Sequence, residues 1–140
     1  MPAIAALLLA AQAAANAQAG GVEIDLEGLR NSRGTIRVCL TRDPAHFPDC
    51  DRDPAALTQS VSATARRIEF GSVPVGRYAI AVFHDENNNR KLDTFLGVPR
   101  EGFGFSRNPT ISFGAPHFDK VDIKIVPGLS RASVRMQYLL

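Results

Sequence analysis

The run Tyr78-Ala79-Ile80-Ala81-Val82-Phe83 decides the fold. In a strand successive side chains point to opposite faces, so Tyr78, Ile80 and Val82 line one face and Ala79, Ala81 and Phe83 the other. Both faces are apolar, which predicts a strand in the centre of a sheet covered on both sides. Gly71, Pro74 and Gly76 punctuate the chain just before it, and Ile68 and Phe70 alternate around Glu69 as an earlier strand. Towards the N-terminus Val22, Ile24 and Leu26 alternate with Glu23, Asp25 and Glu27, the pattern of a half-buried strand with a charged outer face. Ile36, Val38 and Leu40 alternate with Arg37 and Cys39. Between these two runs lies the turn chemistry of Asn31-Ser32-Arg33-Gly34, so they pair most simply as a hairpin.

Residues 42–56 carry three prolines and no periodicity, as in a long surface loop, and residues 57–65 are ambiguous. Residues 97–114 are rich in Gly, Pro and Phe, which predicts a loop that folds back and plugs the end of the domain with Phe103 and Phe105. Val121, Ile123 and Ile125 alternate with Asp122 and Lys124 as a closing strand, and residues 130–140 read as a further strand or a tail. Apolar residues recur nowhere at helical spacing beyond the N-terminal leader. The class is all-β, and the strand spacing predicts a single β-sandwich of about seven strands.

No charged side chain precedes Glu23, and residues 3–11 form an unbroken Ala/Leu/Ile run that ends at Gln12, Asn16 and Gln18. A membrane span needs roughly 20 consecutive apolar residues, so this run reads as the apolar region of a signal peptide. Ala15-Asn16-Ala17 and Ala17-Gln18-Ala19 both fit the small-residue pattern of signal peptidase. The absence of Lys or Arg after Met1 departs from the usual leader. The expected division is a signal peptide over 1–19 and one β-sandwich domain over 20–140. Export predicts a periplasmic or secreted protein, with a protein or another component of the cell envelope as partner. In such an oxidising compartment Cys39 and Cys50 are expected to pair.

Sixteen Lys and Arg against fourteen Asp and Glu give a formal charge of +2, with the signs interspersed. That distribution lacks the basic stripe that a phosphate backbone requires, so nucleic acid is not the expected partner. Without Trp and with two Tyr, the chain offers few aromatic platforms for stacking sugars or bases.

One loop has the composition of a site. Asp85-Glu86-Asn87-Asn88-Asn89-Arg90-Lys91-Leu92-Asp93 puts oxygen side chains at alternate positions, like the first half of a calcium loop. A cation there would take Asp85, Asn87, Asn89 and Asp93 by side chain and Lys91 by its backbone carbonyl, with Glu86 or Glu101 completing the shell. Arg90 stands where an EF-hand has glycine, and Leu96 where it has the bidentate glutamate. Such a site would be weak, with affinity of roughly 10⁻⁴ to 10⁻³ M. The other reading needs no metal, since Asx side chains satisfy backbone groups in turns and tolerate positive φ.

Catalytic patterns are absent. His84 and Asp85 are adjacent on a strand and point to opposite faces, which works against a hydrogen bond between base and orienting acid. His46, His84 and His117 lack zinc spacing, and Ser72, Ser106 and Ser112 lack a nucleophile elbow.

The run from Val82 to Asp93, continued by Phe95-Leu96-Gly97-Val98-Pro99-Arg100-Glu101-Gly102-Phe103-Gly104-Phe105-Ser106, resembles the bacterial family DUF2141, a domain of unknown function. The likeness takes in Val75-Gly76-Arg77-Tyr78 and Gly114-Ala115-Pro116. The resemblance implies an exported sandwich of immunoglobulin-like or transthyretin-like kind, similar to carboxypeptidase regulatory-like modules. It implies no activity, because a shared fold does not carry function. The function expected is a non-enzymatic accessory or binding module that presents the loops of 85–106, among them Glu101, Phe103 and Phe105. The alternatives are an assembly module pairing through a sheet edge, or a hydrolase using His84, Asp85, Glu86 or Glu101.

Overall fold

The computed structural model describes residues 18–111 and 114–140. The expected leader lies outside them apart from Gln18 and Ala19, and Ala19 already opens the first strand. Among the described residues ten strands are present, more than the seven expected: β1 (Ala19–Glu27), β2 (Thr35–Thr41), β3 (Leu57–Ser62), β4 (Arg67–Pro74), β5 (Gly76–Asp85), β6 (Thr94–Phe95), β7 (Val98–Pro99), β8 (Phe103–Phe105), β9 (Ile123–Ile125) and β10 (Gly128–Arg135). The surplus comes from two- and three-residue strands that are too short to leave a period in the sequence. Among the described residues the only helical elements are two 3-10 turns, Pro44–His46 and Phe118–Lys120, and no helix is long and apolar enough to cross a membrane.

One sheet has the order β10-β1-β4, a second β3-β2-β5-β8 with β9 also on β5, and β6 and β7 form a two-stranded sheet of their own. Val22, Ile24 and Leu26 of β1, Ile68 and Phe70 of β4 and Val134 of β10 share one buried cluster with Ile36, Val38 and Leu40 of β2 and Tyr78, Ile80 and Val82 of β5. Each alternating run therefore turns its apolar face to the opposite sheet. On the other face of β5, Ala79 packs with Phe103, Phe105 and Val121, and Ala81 packs beside them. The central strand is thus covered on both sides, as its two apolar faces require.

Two expectations are corrected. β1 and β2 do not form a hairpin: β1 pairs in parallel with β10 and antiparallel with β4, while β2 pairs with β3 and β5. Alternation fixes which face of a strand is buried but not which strand lies beside it, and residues 28–34 cross between the sheets. The second correction concerns Phe103 and Phe105, which do not plug an end. They form β8 on β5 and cover the outer face of its sheet, with the Phe105 ring 5.6 Å from that of Phe47.

Contacts bridge the edges of the two larger sheets. Phe103 of β8 exchanges backbone hydrogen bonds with Gln137, just beyond β10, and Asn108 bonds to the Ser133 carbonyl and the Arg135 amide as a neighbouring strand would. At the other side Gln59 of β3 donates to the Glu69 carbonyl of β4 at 2.6 Å. The disulfide expected between Cys39 and Cys50 is present and ties β2 to the 42–56 loop. On the outer face of β1, the Glu23 carboxylate is flanked by Arg67 at 3.0 Å and Arg131 at 2.9 Å.

Candidate functional site

β5 ends at Asp85, whose side chain is fully buried and folds the following loop around itself. Its Oδ2 accepts from Arg37 Nε at 2.7 Å and from the Arg90 amide at 2.8 Å, and its Oδ1 accepts from the Asn89 amide at 3.1 Å. These bonds satisfy both oxygens and close an Asx-type turn. They also account for the left-handed backbone at Asn88 (φ 57°) and Arg90 (φ 68°), which Asn tolerates readily and Arg does not. Further out, the Asn87 and Asn89 amides each donate to Asp93, both at 2.7 Å. The bonds from Asn89 and Asn87 hold the Asp93 carboxyl below the usual range.

Beneath the loop lies Glu101, only 5% exposed. One of its oxygens accepts the Glu86 amide at 2.6 Å and the other the Asp93 amide at 3.1 Å, so a single carboxylate clamps the two ends of the loop. Burial pushes the Glu101 carboxyl above its ordinary value, against the two amide bonds, and the charges of Asp93 and Asp85 push the same way.

Glu86 faces the crossover from β1 to β2. Arg30 reaches one oxygen at 2.6 Å, while Asn31 at 3.0 Å and Arg33 at 3.4 Å reach the other. Burial alone would raise the Glu86 carboxyl, but the Asn31 and Arg30 bonds and the Arg30 charge bring it below the usual range. His84 belongs to the same assembly without touching Asp85. Its Nε2 lies 2.6 Å from the Arg33 carbonyl, which can only accept, so that nitrogen carries a hydrogen, and its Nδ1 is hydrogen-bonded with the Tyr138 hydroxyl at 2.8 Å. Arg30 stacks on the Tyr138 ring at 4.5 Å.

Above this base stands a hairpin that the sequence reading did not single out. β6 and β7 pair through Thr94 with Pro99 and Phe95 with Val98, and the Arg100 amide donates to the Asp93 carbonyl at 2.7 Å. Leu96 (φ 51°) and Gly97 (φ 80°) form the two-residue turn, with positive φ at both centres as a type I′ hairpin requires. Phe95, Leu96 and Val98 are 56%, 89% and 37% exposed. A leucine in the left-handed region at the most exposed point of a loop is costly for the isolated domain. The available signal was Phe95-Leu96-Gly97-Val98 itself, two β-formers around a glycine-containing pair.

Of the residues singled out from sequence, Asn87, Asn89 and Asp93 converge, Asp85 turns to Arg37, and Lys91 contributes its amide to Asn89 Oδ1 at 3.2 Å. Glu101, Phe103 and Phe105 are buried; Glu101 lies beneath the loop, while Phe103 and Phe105 pack on the outer face of β5 with Ala79 and Val121. Among the described residues no group of three or more His, Cys, Asp or Glu is arranged to hold a metal ion. The arrangement is a rigid polar base, saturated by its own hydrogen bonds, carrying an apolar tip.

No curated protein and no solved structure matches this chain. A family model does match it, over residues 24–132, under the description of an uncharacterized protein conserved in bacteria. That span covers most of the chain and takes in the clamped loop, the hairpin and the strands that hold them: the protein belongs to the DUF2141 family.

Proposed function

We propose that this chain is a non-enzymatic, exported β-sandwich module that binds a partner through the hairpin of residues 94–99. The carrying observation is Leu96, at positive φ and almost wholly exposed. Backbone strain and an apolar side chain in water both work against stability, and such features persist where a site uses them. The four carboxylates of 85–101 support a binding role over catalysis, since each is engaged by amides or guanidinium groups that fix the loop. Hollows at Pro109, Ile111, Pro116, His117 and Lys120 contain none of them. The shared core of the two sheets supports the sandwich type, and the apolar run before Glu23 supports export to the periplasm or beyond. Cleavage after Ala17 suits the fold better than cleavage after Ala19, because the Gln18 carbonyl accepts the Val75 amide at 2.7 Å.

The test is photo-crosslinking in the producing cell, with the reactive residue at Leu96 and, as a control, at exposed Thr58 on β3. Adducts with protein or lipid at 96 alone support the reading; equal adducts at both sites, or none of either kind, overturn it.

A second reading, calcium at Asp85, Asn87, Asn89 and Asp93, draws on the convergence of Asn87 and Asn89 upon Asp93. Turning the two amides over would present oxygens in place of their donors and make a cluster of hard ligands. Pairing through a sheet edge has less support, since Asn108, Gln137 and Gln59 occupy the edges.

A further inference from the structure

We infer that the partner of the hairpin is an anionic lipid surface, with Phe95, Leu96 and Val98 entering the interface and the surrounding cations meeting the headgroups. The inference rests on the binding role proposed above and names its partner class.

Three observations carry it. The first is shape. Gly97 has open space around the position of a Cβ, and the apolar residues belong to a two-residue turn on two two-residue strands, so the apolar surface is a narrow projection. A stable protein interface buries about 800 Å² on each partner, more than three side chains at a turn provide, whereas interfacial anchoring needs only a few apolar groups at the headgroup boundary.

The second is charge. In segments 28–34 and 85–101 the exposed charged residues are Arg30, Arg33, Arg90, Lys91 and Arg100, all cationic. The four acids of these segments, Asp85, Glu86, Asp93 and Glu101, are buried or half-buried and hydrogen-bonded. Folding thus sorts a nearly neutral composition into an end that shows positive charge to solvent. Arg100 lies 5.9 Å from the Phe95 ring, and Lys91 is close enough to Asp93 to help hold its carboxyl down. Cations beside an apolar tip match the negative surface of a bilayer containing acidic lipids.

The third is stiffness. Glu101 clamps the loop that bears Arg90 and Lys91, and the Arg100 amide on the Asp93 carbonyl closes the hairpin onto that loop. The tip is therefore held out before any surface arrives, and little ordering cost falls on the binding step.

The experiment is flotation of the purified domain with vesicles of phosphatidylglycerol and phosphatidylethanolamine, against vesicles of phosphatidylcholine alone. The domain should float with the anionic vesicles and not with the neutral ones, and the partition should fall as salt rises. Leu96→Asn keeps a residue that accepts positive φ and should fold at least as well as the parent, yet lose about tenfold in partition. Lys91→Glu and Arg100→Glu should each lose about fivefold or more. Equal flotation of parent and Leu96→Asn, equal binding to neutral vesicles, or no flotation overturns the inference. Protein adducts at position 96 in the crosslinking experiment, without flotation, overturn the lipid partner and leave the binding role standing.

Discussion

The amide of Asp93 rests on the buried Glu101 carboxylate at 3.1 Å, so the acid whose proton affinity is lowered and the acid whose affinity is raised are joined through the backbone. The same Glu101 holds the Glu86 amide at the other end of the loop. Its charge is required for two hydrogen bonds and opposed by burial.

This opposition gives a pH dependence. The folded Glu101 holds its proton more tightly than an unfolded glutamate, whose pKa is about 4.3. The stability linked to that proton is full below about 4.3 and lost as pH rises through the higher folded value. Asp93 and Glu86 are shifted down, so their contribution is lost only on the acid side, as pH falls below about 4. As pH rises above the ordinary glutamate value the Glu101 contribution to the melting temperature should fall, and this fall should be absent in Glu101→Gln. Parallel melting curves for the two proteins above that value would exclude Glu101 as the source.

Arg37 and Asp85 form the pair on which the loop is hung, at 2.7 Å with the carboxylate inaccessible to water. Removing one partner of a buried pair leaves the other uncompensated, which costs about 3 kcal/mol or more. Arg37→Met should therefore destabilise the domain by about 3 kcal/mol in urea unfolding. Asp85→Asn should cost somewhat less, because Arg37 is partly exposed and finds water. A double variant close to the worse single one would show that the two act as a unit. Losses below about 0.5 kcal/mol for both would mean that the loop is not hung on this pair.

Gly34 turns the chain into β2 at φ 72°, where a Cβ would run into the Asp85 carbonyl oxygen and lie 2.7 Å from Glu86 Cα. Gly34→Ala should cost about 3 kcal/mol or more, from left-handed backbone and collision together. Gly97 has a similar φ of 80° and nothing within 4 Å, so Gly97→Ala isolates the backbone part at about 1 kcal/mol. Equal losses at the two positions would show that contact with the Asp85 turn adds nothing.

The parts of this site differ in how far the sequence discloses them. β5 is legible because both of its faces are apolar over consecutive residues, and the turn after it because Asp and Asn favour self-capping loops. The partner of Asp85 is not, since Arg37 is 48 residues away and alternation on β2 shows only that it points out of the core. Glu101 reads as an exposed acid because nothing in its neighbourhood records that two amides will meet it from 15 and 8 residues away. Likewise the parallel pairing of β10 with β1 joins the ends of the domain, and local patterning holds no trace of it.

The Cys39–Cys50 bond closes a loop of sequence separation 11, so its effect on the unfolded chain is modest. Replacing both cysteines by alanine should lower stability by about 2–3 kcal/mol. The hairpin lies beyond the far end of β5 from the Thr41 end of β2, so lipid flotation should be unchanged in material that remains folded. A variant that unfolds at the same urea concentration as the parent would show that the bond does not constrain the chain.

Calcium separates the two readings of the 85–93 loop. Asp85 already has three donors and Asp93 two, so a cation must displace Arg37 or the Asn87 and Asn89 amides to gain oxygens. Ligand-induced stabilisation follows the ratio of free ligand to dissociation constant, and a site of roughly 10⁻⁴ M would respond visibly to millimolar calcium. If the hydrogen-bonded loop is complete in itself, millimolar calcium and its removal by chelator leave the melting temperature unchanged, and calorimetry shows no heat. A rise in the parent that is absent in Asp93→Asn would favour the metal, because that substitution removes one charged ligand while keeping a side chain of the same shape in the turn.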